Sequence, residues 1–285
     1  MSEAKGMEII MRKINKAIVA LDYCESDLHQ ICECLDAKES IFCSSGDSEI
    51  IMKNLADAEV AILTRPVKNI NNVISPNMKW IHCDAAGLDM MYTPELSRRD
   101  GLTVTSASGR SSKALSEHVI MFMLALTYQL TKVQKKRIDH QWTMPFLNQS
   151  SALVGKTVGI LGTGSIGKEV AVRCKAFEMN VLGYNKGNTT VIDGFDHIFT
   201  GPDGLQKILT ECDYLVCTLP LTDETYHLLN RDRFLQMKSS AYLINISRGA
   251  VIDEKELLEC LDEGIIAGAG LDTFETEPLP ANSAI

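Results

Sequence analysis

The first hundred residues alternate short apolar runs with stretches in which apolar and polar residues recur at helical spacing. The apolar runs predict five strands, at residues 16–23, 40–45, 60–65, 78–83 and 102–106. Helices are predicted between the first three of them, near residues 25–35 and 48–56. Strands that alternate with helices form βαβ units with parallel strands, so this pattern predicts an α/β fold.

A long apolar segment at residues 112–132 separates this series from a second one of the same kind. The segment is apolar over most of a helix circumference, which predicts one helix buried at the joint between two domains. Further apolar runs then predict five strands, at residues 156–161, 180–184, 213–217, 241–246 and 266–271. We therefore predict two α/β domains, residues 1–107 and residues 108–285.

Composition narrows the class of protein. With 45% hydrophobic and 23% charged residues, the 285-residue chain can form two cores of ordinary size. Its longest apolar run, residues 119–126, is far shorter than the roughly 18 residues that a membrane span requires. The apolar stretch 17–21 is too short for a secretion signal and no small-residue cleavage site follows it, so we expect a cytoplasmic protein.

Net charge and cysteine content narrow the expected partners, compartment and metal binding. A formal charge of −9 argues against nucleic acid or anionic membrane, because both require basic surface, but it permits a small anionic substrate. Nine cysteines without a CxxC pair fit a reducing compartment. Cys32 and Cys34 have neither a second pair nor a histidine cluster near them in sequence, so no metal site is predicted.

The sharpest chemical motif is Gly162-Thr163-Gly164-Ser165-Ile166-Gly167, which follows the predicted strand 156–161 and begins a helix. Its three glycines would permit a tight turn, close approach of a pyrophosphate to the backbone, and packing of the helix on the strand. The helix N-terminus adds amides and a partial positive charge that favour phosphate. A glycine motif alone is weak evidence, but in this strand, turn and helix context it predicts dinucleotide binding.

The residues after the next strand bear on which dinucleotide binds. An NAD site carries an acidic residue there to hold the ribose 2′-hydroxyl, whereas this chain has Asn185-Lys186-Gly187. Without a carboxylate nothing repels a 2′-phosphate, and Lys186 could pair with one. The alternative is a solvated loop lysine. Between NAD and NADP, the residues favour NADP.

Two later segments complete a set of motifs: DYLVCTLPLTDETYHLLN at 213–230 and AYLINISRGAVIDEKELLECLDEGIIAGAGLDTFETEP at 241–278. With the glycine motif they resemble the D-isomer-specific 2-hydroxyacid dehydrogenases, which include glyoxylate/hydroxypyruvate reductases, D-lactate dehydrogenases and phosphoglycerate dehydrogenases. The resemblance extends from about Lys79 to the end. It implies two Rossmann-like parallel-sheet domains: a flavodoxin-like substrate domain and an NAD(P)-binding Rossmann domain. It also implies hydride transfer between NAD(P)H and a small 2-oxo or D-2-hydroxy acid.

The resemblance assigns roles to residues of the second domain. Arg248 matches the arginine that binds the substrate carboxylate, and a planar guanidinium suits two-point binding of a 2-oxo acid. Glu277 matches the carboxylate that orients a catalytic histidine and raises its pKa, and Asp272 matches the residue that holds the nicotinamide carboxamide. Glu275 is expected to face solvent. Further cofactor contacts match Ser165, Ile166, Leu219, Pro220, Thr225 and the carbonyl of Ile246.

In the first domain the resemblance indicates a glycine loop at residues 82–91. The amides of Ala86 and Gly87 would receive the substrate carboxylate, since a tight loop can bind an anion through its backbone. Arg65 resembles a substrate-side arginine, with a solvent-facing arginine as the alternative. His82 and His118 do not match the family's base, and packed or capping roles are expected for both.

The family's catalytic histidine follows the ExEP turn, and this sequence ends before such a residue. We expect either that a further segment carries the histidine and completes the first domain, or that the base has been lost. On both alternatives the 285-residue chain is expected to bind the dinucleotide and to be a poor catalyst.

The apolar helix bears on how the protein assembles, and the fold is compatible with a second function. The helix at residues 112–132 is too apolar to be half exposed, and in the resembling family the equivalent element packs across a two-fold axis. We therefore expect a homodimer built through the cofactor domain. The rival to an enzyme is a dinucleotide-sensing binding protein, like the corepressors that share this fold, which would bind without significant turnover.

Overall fold

The computed structural model describes residues 14–64, 67, 70–88, 93–142, 152–187 and 192–285. The chain divides into two compact units, Met1–Ser108 and Gly109–Ile285. Each unit is built on one parallel sheet, which confirms the predicted fold class. Within the described ranges, every helix is too short or too polar to cross a lipid bilayer.

The first unit contains a five-stranded sheet. Its strands are β1 (Lys16–Ala20), β2 (Glu39–Cys43), β3 (Val60–Leu63), β4 (Trp80–Cys83) and β5 (Thr103–Ser106). They lie in the order β2-β1-β3-β4-β5 with every neighbouring pair parallel, which is the flavodoxin-like order. Its helices are α1 (Glu25–Leu35), α2 (Ser48–Leu55), α3 (Ile70–Val73) and α4 (Pro94–Ser97).

A buried carboxylate joins the amino ends of this sheet. Glu59 precedes β3 and accepts hydrogen bonds from the Nδ2 of Asn15 at 2.9 Å and from its backbone N at 3.2 Å. Lys79 Nζ lies 3.3 Å from Glu59 Oε2. The Asn15 side-chain hydrogen bond is the main cause that lowers the pKa of Glu59, and Lys79 acts in the same direction against the cost of burial. Because Asn15 precedes β1 and Lys79 precedes β4, Glu59 connects the starts of three strands.

The second unit contains a six-stranded parallel sheet. Its strands are β6 (Thr157–Leu161), β7 (Asn180–Tyr184), β8 (His197–Phe199), β9 (Tyr214–Cys217), β10 (Tyr242–Asn245) and β11 (Gly268–Leu271). Their order, β11-β10-β9-β6-β7-β8, is that of a dinucleotide-binding Rossmann sheet. The sequence did not predict β8, because Ile198 is its one buried residue and no apolar run marks it.

Two buried clusters join helices of this unit to its sheet. They are α5 (Ser112–Thr127), α6 (Leu130–Ile138), α7 (Ser165–Ala176), α8 (Gly201–Glu211), α9 (Arg231–Phe234) and α10 (Glu254–Asp262). One cluster includes Val119, Ile160 and Val170, so α5 and α7 share a core with β6. The other includes Ile208, Leu215 and Leu257, which come from α8, β9 and α10.

The prediction of one helix at residues 112–132 is wrong. Helix α5 ends at Thr127, Gln129 adopts the left-handed conformation with φ of 49°, and α6 begins at Leu130. The apolar pattern continues across the break, but Tyr128 and Leu130 are 49% and 47% exposed, so it does not report burial there. The last turn of α5 is instead anchored by Thr127, whose Oγ1 donates to Met123 O at 2.6 Å.

Carboxylates also join the amino ends of the second sheet. Asp213 precedes β9; its Oδ2 accepts from the first amide of β6, Thr157 N, at 2.8 Å, and its Oδ1 accepts from Lys238 Nζ at 2.9 Å. Asp196 precedes β8 and accepts from Val181 N, in β7, at 2.7 Å. In both units, acidic side chains thus hold the edge where the strands begin. The loops that carry the predicted site residues leave from the opposite edge.

Candidate functional site

The glycine motif forms the turn between β6 and α7, at the carboxyl edge of the second sheet. Strand β6 lies between β9 and β7, where the strand order reverses and where such sheets bind ligands. Gly162 has φ of 103°, and a Cβ there would lie 2.7 Å from Thr218 Oγ1. A Cβ on Gly167 would lie 2.0 Å from the carbonyl oxygen of Gly162. Both positions therefore require glycine.

Gly164 differs from these two glycines. No described atom lies within 4 Å of the position that its Cβ would take. It is the N-cap residue of α7 and has no side chain with which to cap the first amides of that helix. The space at the Cβ position of Gly164, beside the helix N-terminus, is thus open, which suits close approach of a pyrophosphate. The residues present therefore fit a dinucleotide, with Ser165 and Ile166 in the first turn of the helix.

Thr218 fixes this turn, and the sequence did not single it out. Its Oγ1 lies 3.0 Å from the carbonyl oxygens of both Leu161 and Gly162, to which it donates. The hydroxyl therefore ties the end of β9 to the glycine turn. A threonine directly after a buried strand was the available signal.

The predicted contacts Leu219, Pro220 and Thr225 follow Thr218 on one turn. Thr225 Oγ1 donates to Pro220 O at 2.7 Å and accepts from Thr222 N at 2.7 Å. The hydroxyl of Thr225 thus closes the turn from inside. Through Thr218, this turn is joined to the glycine turn.

Asn185 fastens the loop after β7 to the glycine turn. Its Nδ2 donates to Thr163 Oγ1 at 3.0 Å, and its Oδ1 accepts from Gly187 N at 3.2 Å. The side chain of Lys186 is 83% exposed, yet its Nζ lies 2.6 Å from Glu224 Oε2. The lysine that favoured NADP in the sequence is therefore paired with a carboxylate that the sequence did not indicate.

A buried polar network holds the backbone of Arg248, which follows β10. Asn245 is fully buried; its Oδ1 accepts from Ser247 N at 3.0 Å and Ser247 Oγ at 2.7 Å, and its Nδ2 donates to Arg248 O at 2.9 Å. Cys217 Sγ lies 3.3 Å from Ser247 Oγ, and burial raises the pKa of that thiol, which keeps it neutral. Ile246, predicted to offer its carbonyl to the cofactor, lies within this network.

The turn after β11 carries Asp272 and Glu277. Gly249 lets it close against the Arg248 segment, because a Cβ there would lie 1.9 Å from the carbonyl carbon of Phe274. Glu277 Oε1 accepts from Phe274 N at 3.0 Å. His118 Nε2, on α5, lies 3.6 Å from Asp272 Oδ1, a pairing that the sequence did not indicate.

Glu275 was expected to face solvent, but its side chain is only 32% exposed and it connects other segments. Its Oε1 accepts from Glu254 N at 3.1 Å, and its own N donates to Glu254 Oε1 at 2.6 Å. His227 Nε2 lies 3.1 Å from Glu275 Oε1, and His227 Nδ1 lies 3.3 Å from Asp253 Oδ2. These partners come from distant parts of the sequence, so no local pattern could show that they hold the turn.

The glycine loop of the first unit begins where β4 ends. Ala107 N donates to Ala85 O at 3.2 Å; Ala86 is exposed and Gly87 is half-buried. Arg65 and residues 89–92 lie outside the described residues. His82 Nδ1 lies 2.9 Å from Thr105 Oγ1 on the neighbouring strand, which is a packed position.

Known proteins resemble this chain in sequence and in fold. Residues 120–285 match the family described as "D-isomer specific 2-hydroxyacid dehydrogenase, NAD binding domain". The chain is 36% identical to a glyoxylate reductase of Thermofilum pendens, over 82% of this chain and 70% of that protein. It is 31% identical to a D-lactate dehydrogenase of Streptococcus agalactiae, over 82% and 71%.

Two solved structures extend the comparison. A glyoxylate/hydroxypyruvate reductase from Sinorhizobium meliloti, in complex with NADP and sulfate, has a TM-score of 0.77 at 27% identity, covering 95% of this chain and 84% of that one. A D-lactate dehydrogenase from Aquifex aeolicus, complexed with NAD and lactic acid, has a TM-score of 0.75 at 27% identity, covering 92% and 77%.

Proposed function

Because this chain belongs to the D-isomer specific 2-hydroxyacid dehydrogenase family, we propose that it reduces a small 2-oxo acid to the D-2-hydroxy acid, or catalyses the reverse reaction. The protein is an NAD(P)-dependent oxidoreductase of this class. One observation carries the proposal within the structure. The open glycine turn after β6 and Arg248 after β10 lie on the same edge of one sheet, two strands apart.

The residues of the second unit divide the work of the reaction. A bound nicotinamide supplies or accepts the hydride. Arg248 binds the substrate carboxylate and polarises the 2-oxo group, and its guanidinium can make both contacts at once. Asp272 holds the carboxamide of the cofactor. Glu277 orients the histidine that exchanges a proton with the substrate oxygen, as in the resembling family.

The amides of Ala86 and Gly87 are proposed to receive the substrate carboxylate from the first unit. Arg65 is proposed as a further contact that would select among acids. The domain boundary near residue 107 then separates the unit that selects the acid from the unit that holds the dinucleotide.

Turnover with a panel of acids tests the proposed function. Glyoxylate, hydroxypyruvate, pyruvate and a phosphorylated 2-oxo acid would each be supplied with NADH and with NADPH, and the loss of absorbance at the reduced-nicotinamide band measured. We expect at least one acid to be reduced, slowly by the 285-residue chain, with the D configuration where the product is chiral. Tight dinucleotide binding without reduction of any acid would favour the sensor.

We propose NADP as the preferred dinucleotide, since no acidic residue follows β7 and Lys186 does. Of the two similar structures, one is in complex with NADP and the other with NAD, so both dinucleotides remain within the family's range. Titration of the protein with NADH and NADPH gives the two dissociation constants directly. Tighter binding of NADH would contradict the preference.

We also propose that the protein acts in the cytoplasm. All nine cysteines are free thiols. Burial raises the pKa of Cys174 and of Cys212 to about 12, so both stay protonated and unreactive. Fractionation of cells that express a tagged full-length protein tests the location, and recovery outside the cytoplasmic fraction would contradict it.

A further inference from the structure

We propose that Glu224 sets the choice between the two nicotinamide dinucleotides, by competing with a 2′-phosphate for Lys186. The inference rests on the proposed function, because it concerns the adenosine end of the same dinucleotide site. Lys186 Nζ lies 2.7 Å from Glu224 Oε1 and 2.6 Å from its Oε2. The positive charge that would attract a 2′-phosphate is therefore already balanced by a carboxylate.

The two partners stand on loops that are both anchored to the glycine turn. Lys186 follows Asn185, whose Nδ2 donates to Thr163 Oγ1 at 3.0 Å. Glu224 precedes Thr225, whose hydroxyl closes its own turn, and that turn begins at Thr218, bonded to Gly162 O at 3.0 Å. The ion pair thus spans two loops with fixed bases, directly after β7, where Rossmann sites recognise the ribose.

The pair is weak enough to exchange its partner. The side chains of Lys186 and Glu224 are 83% and 63% exposed. Exposed ion pairs favour the paired state by only about 1.4- to 5-fold. A phosphate monoester carries nearly two negative charges at neutral pH, so Lys186 can leave the carboxylate for it.

The two dinucleotides meet this pair differently. When Lys186 turns to a 2′-phosphate, Glu224 remains beside an anion and repels it. A neutral 2′-hydroxyl leaves the ion pair intact and can donate a hydrogen bond to the carboxylate. Lys186 therefore favours NADP and Glu224 favours NAD, and the preference of the protein is the balance between the two side chains.

The test compares Glu224→Gln with Asp223→Asn in the full chain. Asp223 is exposed on the same turn, and the described structure gives it no ion pair with Lys186, so its variant removes the same charge without releasing the lysine. Dissociation constants for NADH and NADPH are measured by titration of nicotinamide fluorescence at low and at moderate salt. We expect Glu224→Gln to shift the ratio toward NADPH by about 2- to 5-fold, more at low salt. Glu224→Lys should shift it further in the same direction.

A second comparison shows whether the effect passes through Lys186. In a Lys186→Gln background, Glu224→Gln should change the ratio by much less than in the wild-type protein. An unchanged ratio in Glu224→Gln, an equal change in Asp223→Asn, or a full effect without Lys186 would overturn the inference while the proposed function stands. A wild-type protein that binds neither dinucleotide would overturn both.

Discussion

Uncharged, buried neighbours hold the backbone of Arg248 in place. Asn245 bonds the backbone on both sides of Ser247, and Ser247 O in turn accepts from a guanidinium nitrogen of Arg248 at 2.7 Å. Removing one partner of such a network leaves buried polar groups unsatisfied, at about 1–3 kcal/mol each. Function at this site should therefore depend on the network that positions the Arg248 guanidinium as much as on its charge.

Arg248→Lys keeps the charge but loses the planar fork. We expect kcat/KM for the 2-oxo acid to fall about 100-fold or more, because an ammonium cannot bind carboxylate and carbonyl oxygen in two-point fashion. The dissociation constant of the dinucleotide should stay within about twofold. Steady-state kinetics and cofactor titration give both values. Arg231→Lys is the control, since Arg231 pairs with Glu263 on the surface, and a comparable loss there would contradict the assignment.

Glu59 makes the first unit sensitive to acid in a defined direction. Its pKa is lowered in the folded protein, chiefly by the Asn15 side chain. The stabilisation is then fully present above the ordinary carboxyl pKa of about 4.3 and is lost as the pH falls through the lower folded value. Glu59→Gln should therefore cost about 1–2 kcal/mol at pH 7 and progressively less below pH 4. Denaturant unfolding at several pH values measures this, and a pH-independent difference would contradict it.

At the scale of elements, the glycine turn separates folding from binding. Gly162 and Gly167 are required by backbone geometry, whereas Gly164 has φ of −76° and open space around it. The first two positions thus serve the fold, whereas the third is proposed to serve the ligand. The motif is continuous in the sequence, but backbone geometry requires two of its glycines and open space for a ligand favours the third.

Paired substitutions test this separation. Gly164→Ala should unfold at nearly the wild-type temperature and bind the dinucleotide roughly 10-fold or more weakly, because its methyl group occupies the approach of the pyrophosphate. Gly167→Ala should lose several kcal/mol of stability, since its Cβ would collide with the carbonyl of Gly162. Thermal melts and cofactor titration distinguish the two. Equal stability loss in both variants would show that the turn is one structural unit.

Elements were predictable where the apolar pattern and burial agree. The buried runs of β1, β3 and β6 carry strong signals, and each was predicted to within a few residues. Strand β8 has one buried residue, and at Gln129 the apolar pattern continues although the helix ends, so both escaped prediction. Within the candidate site, the glycine motif and Arg248 are marked by local sequence. Thr218 and Glu224 bond partners from distant segments, and no local pattern records those pairings. Asn245 bonds Ser247 and Arg248, two and three residues away, but that role was not predicted from the sequence.

At the scale of the whole molecule, we propose a homodimer built through the cofactor unit. Met121 on α5 and Leu130 on α6 are 49% and 47% exposed. Burial of apolar side chains of this size in an interface is favourable. Light scattering at micromolar concentration should give twice the chain mass. Met121→Glu with Leu130→Glu should yield monomers, whereas Leu235→Glu, at a leucine that is 57% exposed, should not. A monomeric wild-type mass would contradict the proposal.

The carboxylates at the amino edges of both sheets have a consequence for how this protein can change over evolution. Glu59 and Asp213 secure the strands at one edge, while the loops proposed to choose the acid and the dinucleotide leave from the other. Substitutions that change the preference for an acid or a dinucleotide therefore disturb few of the hydrogen bonds that stabilise the scaffold. A lineage can accordingly explore new acids by altering the loops alone, keeping its thermal tolerance as its metabolic role diverges.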